Sequence, residues 1–249
     1  MIRSFPQTQE SKTGFLKEEE IFQLLNSLPQ VTDERLSKAL MRVGIECLLM
    51  LGLRRSEAAS MRMGDLKFEG GQWLILIKGK GGRDRLLPMP PRLINTLSQW
   101  FYRITEEESP YQSMQDNPRA WLNFFSRRVD SPILISTRAK TYESPLSDSE
   151  LARIVRKSGL KAGLIGKISP HMLRATAITY ALDQGASHRG VQQMAGWTSP
   201  LMISRYDKRR KDPKFSAVHK LKYGFDGKKQ KEAKLEESEG IKNTPEKDA

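Results

Sequence analysis

Cysteine occurs once and histidine three times in 249 residues, too few for a disulfide framework or for the Cys/His spacing of a zinc site. Cys47 lies in the apolar run Gly44-Ile45-Glu46-Cys47-Leu48-Leu49-Met50 and reads as a small buried thiol. Acidic calcium-type loops are missing, as is a glycine-rich nucleotide loop, so neither a metal nor a cofactor is expected. No apolar stretch approaches the ~20 residues that span a bilayer. The start, Met1-Ile2-Arg3-Ser4-Phe5-Pro6-Gln7, has no hydrophobic signal core. These absences point to a cytoplasmic protein with no membrane partner.

What is abundant is positive charge. Lysine and arginine number 42 against 29 aspartates and glutamates, a net +13, and the pI is near 9.8. Such a balance suits a polyanionic partner such as nucleic acid, although ribosomal and membrane-surface proteins share it. Hydrophobic residues make up 38%, enough for one main folded domain.

Periodicity divides the chain into a mainly helical domain with a small β-hairpin, an α+β arrangement. Apolar spacing predicts helices over Lys17–Leu28, from an N-cap at Thr32-Asp33 to Gly52, over Ser56–Met61, and over Pro91–Ile104. Trp73–Lys78 and Arg85–Pro88 flank Gly79-Lys80-Gly81-Gly82 as a hairpin, which puts Lys80 at its tip. Residues 106–118 read as a surface insertion and Pro132–Ser136 as a short strand. Helices follow over Ser147–Lys157, Pro170–Asp183, His188–Ala195 and Pro200–Tyr206. Residues 1–14 read as a flexible arm, 15–223 as the folded domain, and 224–249, with charge of both signs and few large apolar residues, as a disordered tail.

Three places hold chemistry-bearing side chains. Arg54, in Gly52-Leu53-Arg54-Arg55-Ser56-Glu57, has Glu57 three residues on, where a carboxylate on the same helical face can orient a guanidinium. Alone, Arg54 reads as a solvated arginine, since lone exposed arginines are common. His171 and Arg174, in Ser169-Pro170-His171-Met172-Leu173-Arg174, share a face at a helix N-terminus, where backbone N–H groups and the dipole favour an anion. Tyr206 follows Gly196-Trp197 and precedes Lys208-Arg209-Arg210-Lys211. Together, two arginines, a lysine, a histidine, an indole and a phenol make a complete set for phosphoryl transfer without metal.

In that order, Gly52-Leu53-Arg54 with Glu57, Lys80 in a glycine-rich hairpin, His171-Met172-Leu173-Arg174, Gly196-Trp197 and Tyr206 resemble the signature of the tyrosine recombinase or phage-integrase family. The resemblance runs from about Phe15 to Tyr206. It implies that the chain is a site-specific recombinase that cuts and rejoins DNA through a 3′-phosphotyrosine link. Arg54 and Arg174 would clamp the scissile phosphate, Tyr206 would attack, and His171 would take its proton. Lys80 would protonate the leaving 5′ oxygen, Trp197 would donate to a phosphate oxygen where the family more often has histidine, and Glu57 would support Arg54. Lys78, Arg83, Arg85, Lys208, Arg209 and Arg210 would contact double-stranded DNA beside the nucleoid, in a tetramer of this chain. Family members usually carry a DNA-binding domain ahead of the catalytic one, for which the residues before Phe15 leave no room; an excised catalytic domain or a short member is expected. Two other readings share the residues: a type IB topoisomerase-like enzyme, and a non-cutting DNA-binding accessory protein of the same fold.

Overall fold

The computed structural model describes residues 14–79, 81–105, 109–110, 112–137, 144–164 and 168–207; all but the last residue of the expected arm, the end of the expected folded domain from 208 to 223, and the expected tail lie outside them. Eight α-helices and a three-stranded antiparallel sheet make up the described part, an α+β fold dominated by helix.

The central element is α2 (Leu36–Leu51), in which every residue from Ala39 to Leu51 except Met50 is buried. A helix that is apolar almost all round must be packed on several sides, and α2 touches α4 (Pro91–Ile104), α6 (Asp148–Lys161) and α7 (Pro170–Asp183). Buried Glu46 of α2 accepts hydrogen bonds from Arg42 and from Arg92 and Thr96 of α4, joining the two helices. The helix begins later than Thr32-Asp33: Arg35 is its N-cap, while the Asp33 carboxylate accepts from the Arg35 backbone N–H in the turn before it. It ends as expected at Gly52, whose φ of 60° is a left-handed conformation open to glycine. α1 (Glu18–Ser27) packs on α6, and the short α3 (Arg55–Ser60) follows Gly52 after two residues.

The expected hairpin is one half of a sheet. β2 (Gln72–Ile77) pairs with β3 (Arg85–Pro88) and also with β1 (Leu66–Glu69), a strand missed in the sequence although the Gly70-Gly71 turn after Leu66 and Phe68 signals it. Two further expectations are corrected. Pro132–Ser136 forms only isolated bridges, Arg62 to Pro132 and Ile135 to Pro145. Part of the 106–118 insertion is core: Met114 is fully buried and its carbonyl accepts the Trp73 indole N–H at 2.8 Å. Beyond it, Asn117 caps α5 (Pro118–Ser126), whose Trp121 and Phe125 pack with Phe101. A buried indole needs an acceptor, and an apparently irregular segment supplies it.

A second, smaller core joins α7 to α8 (His188–Ala195) and to the 3-10 segment Pro200–Arg205 through Ile178, Leu182, Val191, Ala195 and Ile203. This last segment was expected as a helix reaching Tyr206; it is a 3-10 turn that ends at Arg205, with Tyr206 as its C-cap.

Gly159 of α6 lies against Ile168, which leads into α7; a Cβ there would meet Ile168 Cγ2 at 2.0 Å. Alanine in a helix gains about 1 kcal/mol over glycine, but overpacking a core costs about 1–3 kcal/mol, and a branched, buried partner cannot swing aside. Gly159→Ala is therefore expected to lower stability in urea unfolding, against its helix propensity.

Candidate active site

The site is built where two helices end. Gly52 closes α2 and Gly196, with φ 61°, closes α8, and both ends leave carbonyls without an intrahelical donor. Arg174, one turn into α7, donates to both: Nη1 to the Gly52 carbonyl at 2.7 Å and Nη2 to that of Ala195 at 2.6 Å. A guanidinium is well placed there, because the carboxyl ends of both helices carry negative dipole charge. Arg174 is buried as a result. Burial, and then repulsion from Arg54, pull its pKa down to about 10, with Glu57 and Tyr206 opposing; it remains a cation at neutral pH.

Glu57 organises the rest. At the third position of α3, its Oε2 accepts the Arg54 backbone N–H at 2.8 Å, and Oε1 accepts Arg54 Nη1 at 2.7 Å. The same carboxylate takes a two-pronged pair from Arg85 of β3, at 3.0 and 2.8 Å, and Arg174 Nη1 stands 3.7 Å away. Burial disfavours the charged form, yet the hydrogen bonds from Arg85 and from the Arg54 backbone outweigh it and hold the Glu57 carboxyl at about 2. One carboxylate thus faces three guanidiniums, an excess of positive charge that an anion such as a phosphate can neutralise.

Arg85, for which a DNA contact was expected, is turned into the protein. Its side chain is 6% exposed, and its Nε donates to the Met194 carbonyl of α8 at 2.9 Å. The signal was present: Arg85 shares strand parity with buried Leu87, so its side chain points inward. Gly196 makes room for it, since a Cβ at that residue would meet Arg85 Nη1 at 2.9 Å.

Trp197 and Tyr206 complete the cluster. Their rings stack at 5.3 Å between centroids and 23° between planes, and the Arg174 guanidinium lies 5.8 Å from the indole centroid, within cation–π range. Arg54 is partly exposed and His171 lies exposed in the first turn of α7, with Ser169 capping that helix as expected. Lys78 is exposed and paired with Asp65 at 3.1 Å, and Arg83 is exposed. Lys80, Lys208, Arg209 and Arg210 lie outside the described residues. Arg54, Glu57, Arg174, Trp197 and Tyr206 are therefore brought together; sequence reasoning missed the inward role of Arg85. Among the described residues no three His, Cys, Asp or Glu side chains gather as metal ligands, and no helix is long and apolar enough to cross a membrane.

The family described as phage integrase matches residues 14–212. Tyrosine recombinase XerA of Pyrococcus furiosus is 30% identical over 184 residues, covering 74% of this chain and 53% of the relative. Tyrosine recombinase XerC of Syntrophus aciditrophicus is 28% identical over 204 residues, covering 82% and 59%. The chain thus spans a little over half the length of these two relatives. Among solved structures, XerH site-specific recombinase bound to its difH substrate before cleavage shares the fold at TM-score 0.60 and 24% identity, over 81% of this chain and 53% of that one.

Breaking a buried ion pair by removing one partner costs about 3–5 kcal/mol. Arg85→Met is expected to lose that much in urea unfolding at pH 7, and a loss under about 1 kcal/mol would show that Glu57 does not need it. The carboxyl of Glu57 is depressed in the folded state, so its contribution is present above the ordinary carboxylate range near 4.5 and is lost as pH falls toward 2. The full shift corresponds to about 3 kcal/mol. Between pH 5 and pH 3, Glu57→Gln should flatten the fall in unfolding free energy seen in the parent chain.

Proposed function

The chain belongs to the phage integrase family of tyrosine recombinases, and we propose that it breaks and rejoins DNA strands at specific sites, with Tyr206 forming a covalent bond to a 3′ phosphate. The observation that carries this reading is the stacking of Tyr206 on Trp197 beside the buried Arg174 and its cationic cluster.

In this reading a scissile phosphate enters the cationic cluster and takes up its unmatched positive charge. Arg54 and Arg174 hold its non-bridging oxygens and stabilise the added charge of the pentacovalent transition state, so catalysis is positioning and electrostatics. Glu57 and Arg85 keep those two guanidiniums from drifting. The Tyr206 oxygen attacks phosphorus and its proton passes to His171, since a hydroxyl nucleophile is activated by an adjacent base. The bond from phosphorus to the 5′ oxygen breaks, and Lys80 supplies the proton that this oxygen needs to leave. The phosphotyrosine bond conserves the energy of the phosphodiester, so rejoining is the same exchange in reverse and consumes neither metal nor ATP. Trp197 donates its indole N–H to a phosphate oxygen and keeps the phenol in place by stacking.

The partners are double-stranded DNA and further copies of the chain, acting as a tetramer at the nucleoid. The net charge of +13 supports binding to the DNA backbone, and the exposed Lys78 and Arg83, with Lys208, Arg209 and Arg210, supply cations for it. Each phosphate contact of that kind makes binding weaker as salt rises.

The test is to incubate the protein in EDTA and without ATP with supercoiled DNA carrying candidate sites, stop the reaction with SDS, and look for protein attached to DNA. An adduct absent from Tyr206→Phe is the expected result. DNA bound by both proteins but joined to neither would move the reading to a non-cutting accessory protein, and relaxation without exchanged strands to a topoisomerase-like activity.

A further inference from the structure

Two residues that the proposed chemistry does not use meet beside Tyr206. Asp207, the next residue, is buried, its side chain 5% exposed, and its Oδ2 lies 2.5 Å from Nε2 of His188. His188 is the first residue of α8, and its own side chain is 57% exposed. The contact joins a ring nitrogen to a carboxyl oxygen across 19 residues of chain.

The placement of this pair on α8 is what gives it meaning. At the far end of α8, past its glycine cap, Trp197 stacks on Tyr206; at the near end, His188 holds Asp207. Eight residues of helix separate these ends by about 12 Å. Two consecutive residues of the tyrosine segment are thus fastened to opposite ends of one helix. Between them the backbone N–H groups of Tyr206 and Asp207 both donate to the Ile203 carbonyl, at 2.8 and 3.0 Å. Ile203 in turn is buried against Val191 and Ala195 of α8.

We infer that His188 and Asp207 are positioning residues for Tyr206: their contact clasps the tyrosine segment to α8 and so sets where the phenol oxygen stands relative to Arg54 and Arg174. The clasp also keeps a carboxylate adjacent to the attacking residue occupied and turned into the protein, where it does not repel an incoming phosphate. The inference rests on Tyr206 being the attacking residue. Reaction geometry tolerates little error, a misplacement of about 1 Å costing on the order of a hundredfold in rate, whereas DNA affinity is carried by many contacts elsewhere.

The experiment compares the full chain with His188→Ala and His188→Gln, in which the glutamine amide restores a hydrogen-bonding group near the position of Nε2. Adduct formation is measured in a single turnover on DNA that the parent chain cleaves, DNA affinity is measured on the same duplex, and amide exchange is measured on the protein without DNA. We expect His188→Ala to slow adduct formation by about ten- to a hundredfold at unchanged affinity and to raise exchange at Tyr206 and Asp207 alone. His188→Gln is expected to recover most of both. Parent-like exchange and rate in His188→Ala would overturn the inference. So would a glutamine variant as slow as the alanine one, or exchange raised evenly over α7 and α8, which would make the pair a general stabiliser. If the parent chain forms no adduct on any DNA, the assignment of Tyr206 as nucleophile falls, while the exchange measurement still decides whether the clasp exists.

Discussion

A buried carboxylate surrounded by guanidiniums governs the geometry of this molecule. Glu57 alone would be costly to bury as an ion, and Arg54, Arg85 and Arg174 would repel one another if they were gathered without it. Each makes the other tolerable, and the arrangement draws four separate elements to one point: α3 brings Glu57 and Arg54, β3 brings Arg85, α7 brings Arg174, and α8 supplies carbonyls to two of the arginines. A buried pair of this kind need not add stability over a well-packed apolar core. Its value here is that it fixes directions, leaving a surplus of positive charge aimed at one place.

The tyrosine is mounted differently. It depends on the small core that α7, α8 and the 3-10 segment share, and on ring stacking with Trp197. The indole of Trp197 thereby has a physical role. An indole can only donate through its N–H, but it offers a broad face on which a phenol can lie and over which a guanidinium can sit. The larger core around α2 holds the arginine cluster, the smaller one holds the tyrosine, and α7 belongs to both.

Much of this was legible beforehand. The glycines that end α2 and α8 and the Ser169-Pro170 start of α7 follow from local rules, and the structure agrees at each. Legibility failed where a residue's role depends on a distant partner. Met114 looks like part of a polar insertion until Trp73, 41 residues earlier, uses its carbonyl. Arg85 looks like a basic hairpin residue until Glu57 and Met194, 28 and 109 residues away, take its guanidinium. The first strand was readable from Gly70-Gly71 but was passed over, and the residues from Pro132 to Ser136 have strand-like composition without a strand partner to pair along their length.

By itself the sequence determined the helical character of the chain, the ends of its principal helices and the residue types that the candidate site draws on. Caps, glycines and apolar spacing act within a few residues, so their consequences can be read along the chain. Tertiary structure alone decided which cations are buried and which face solvent, because burial of a charge depends on counter-ions that only folding brings within reach. It turned Arg85 inward as a support, left Arg54 partly open beside Glu57, and set His188 against Asp207, next to the tyrosine.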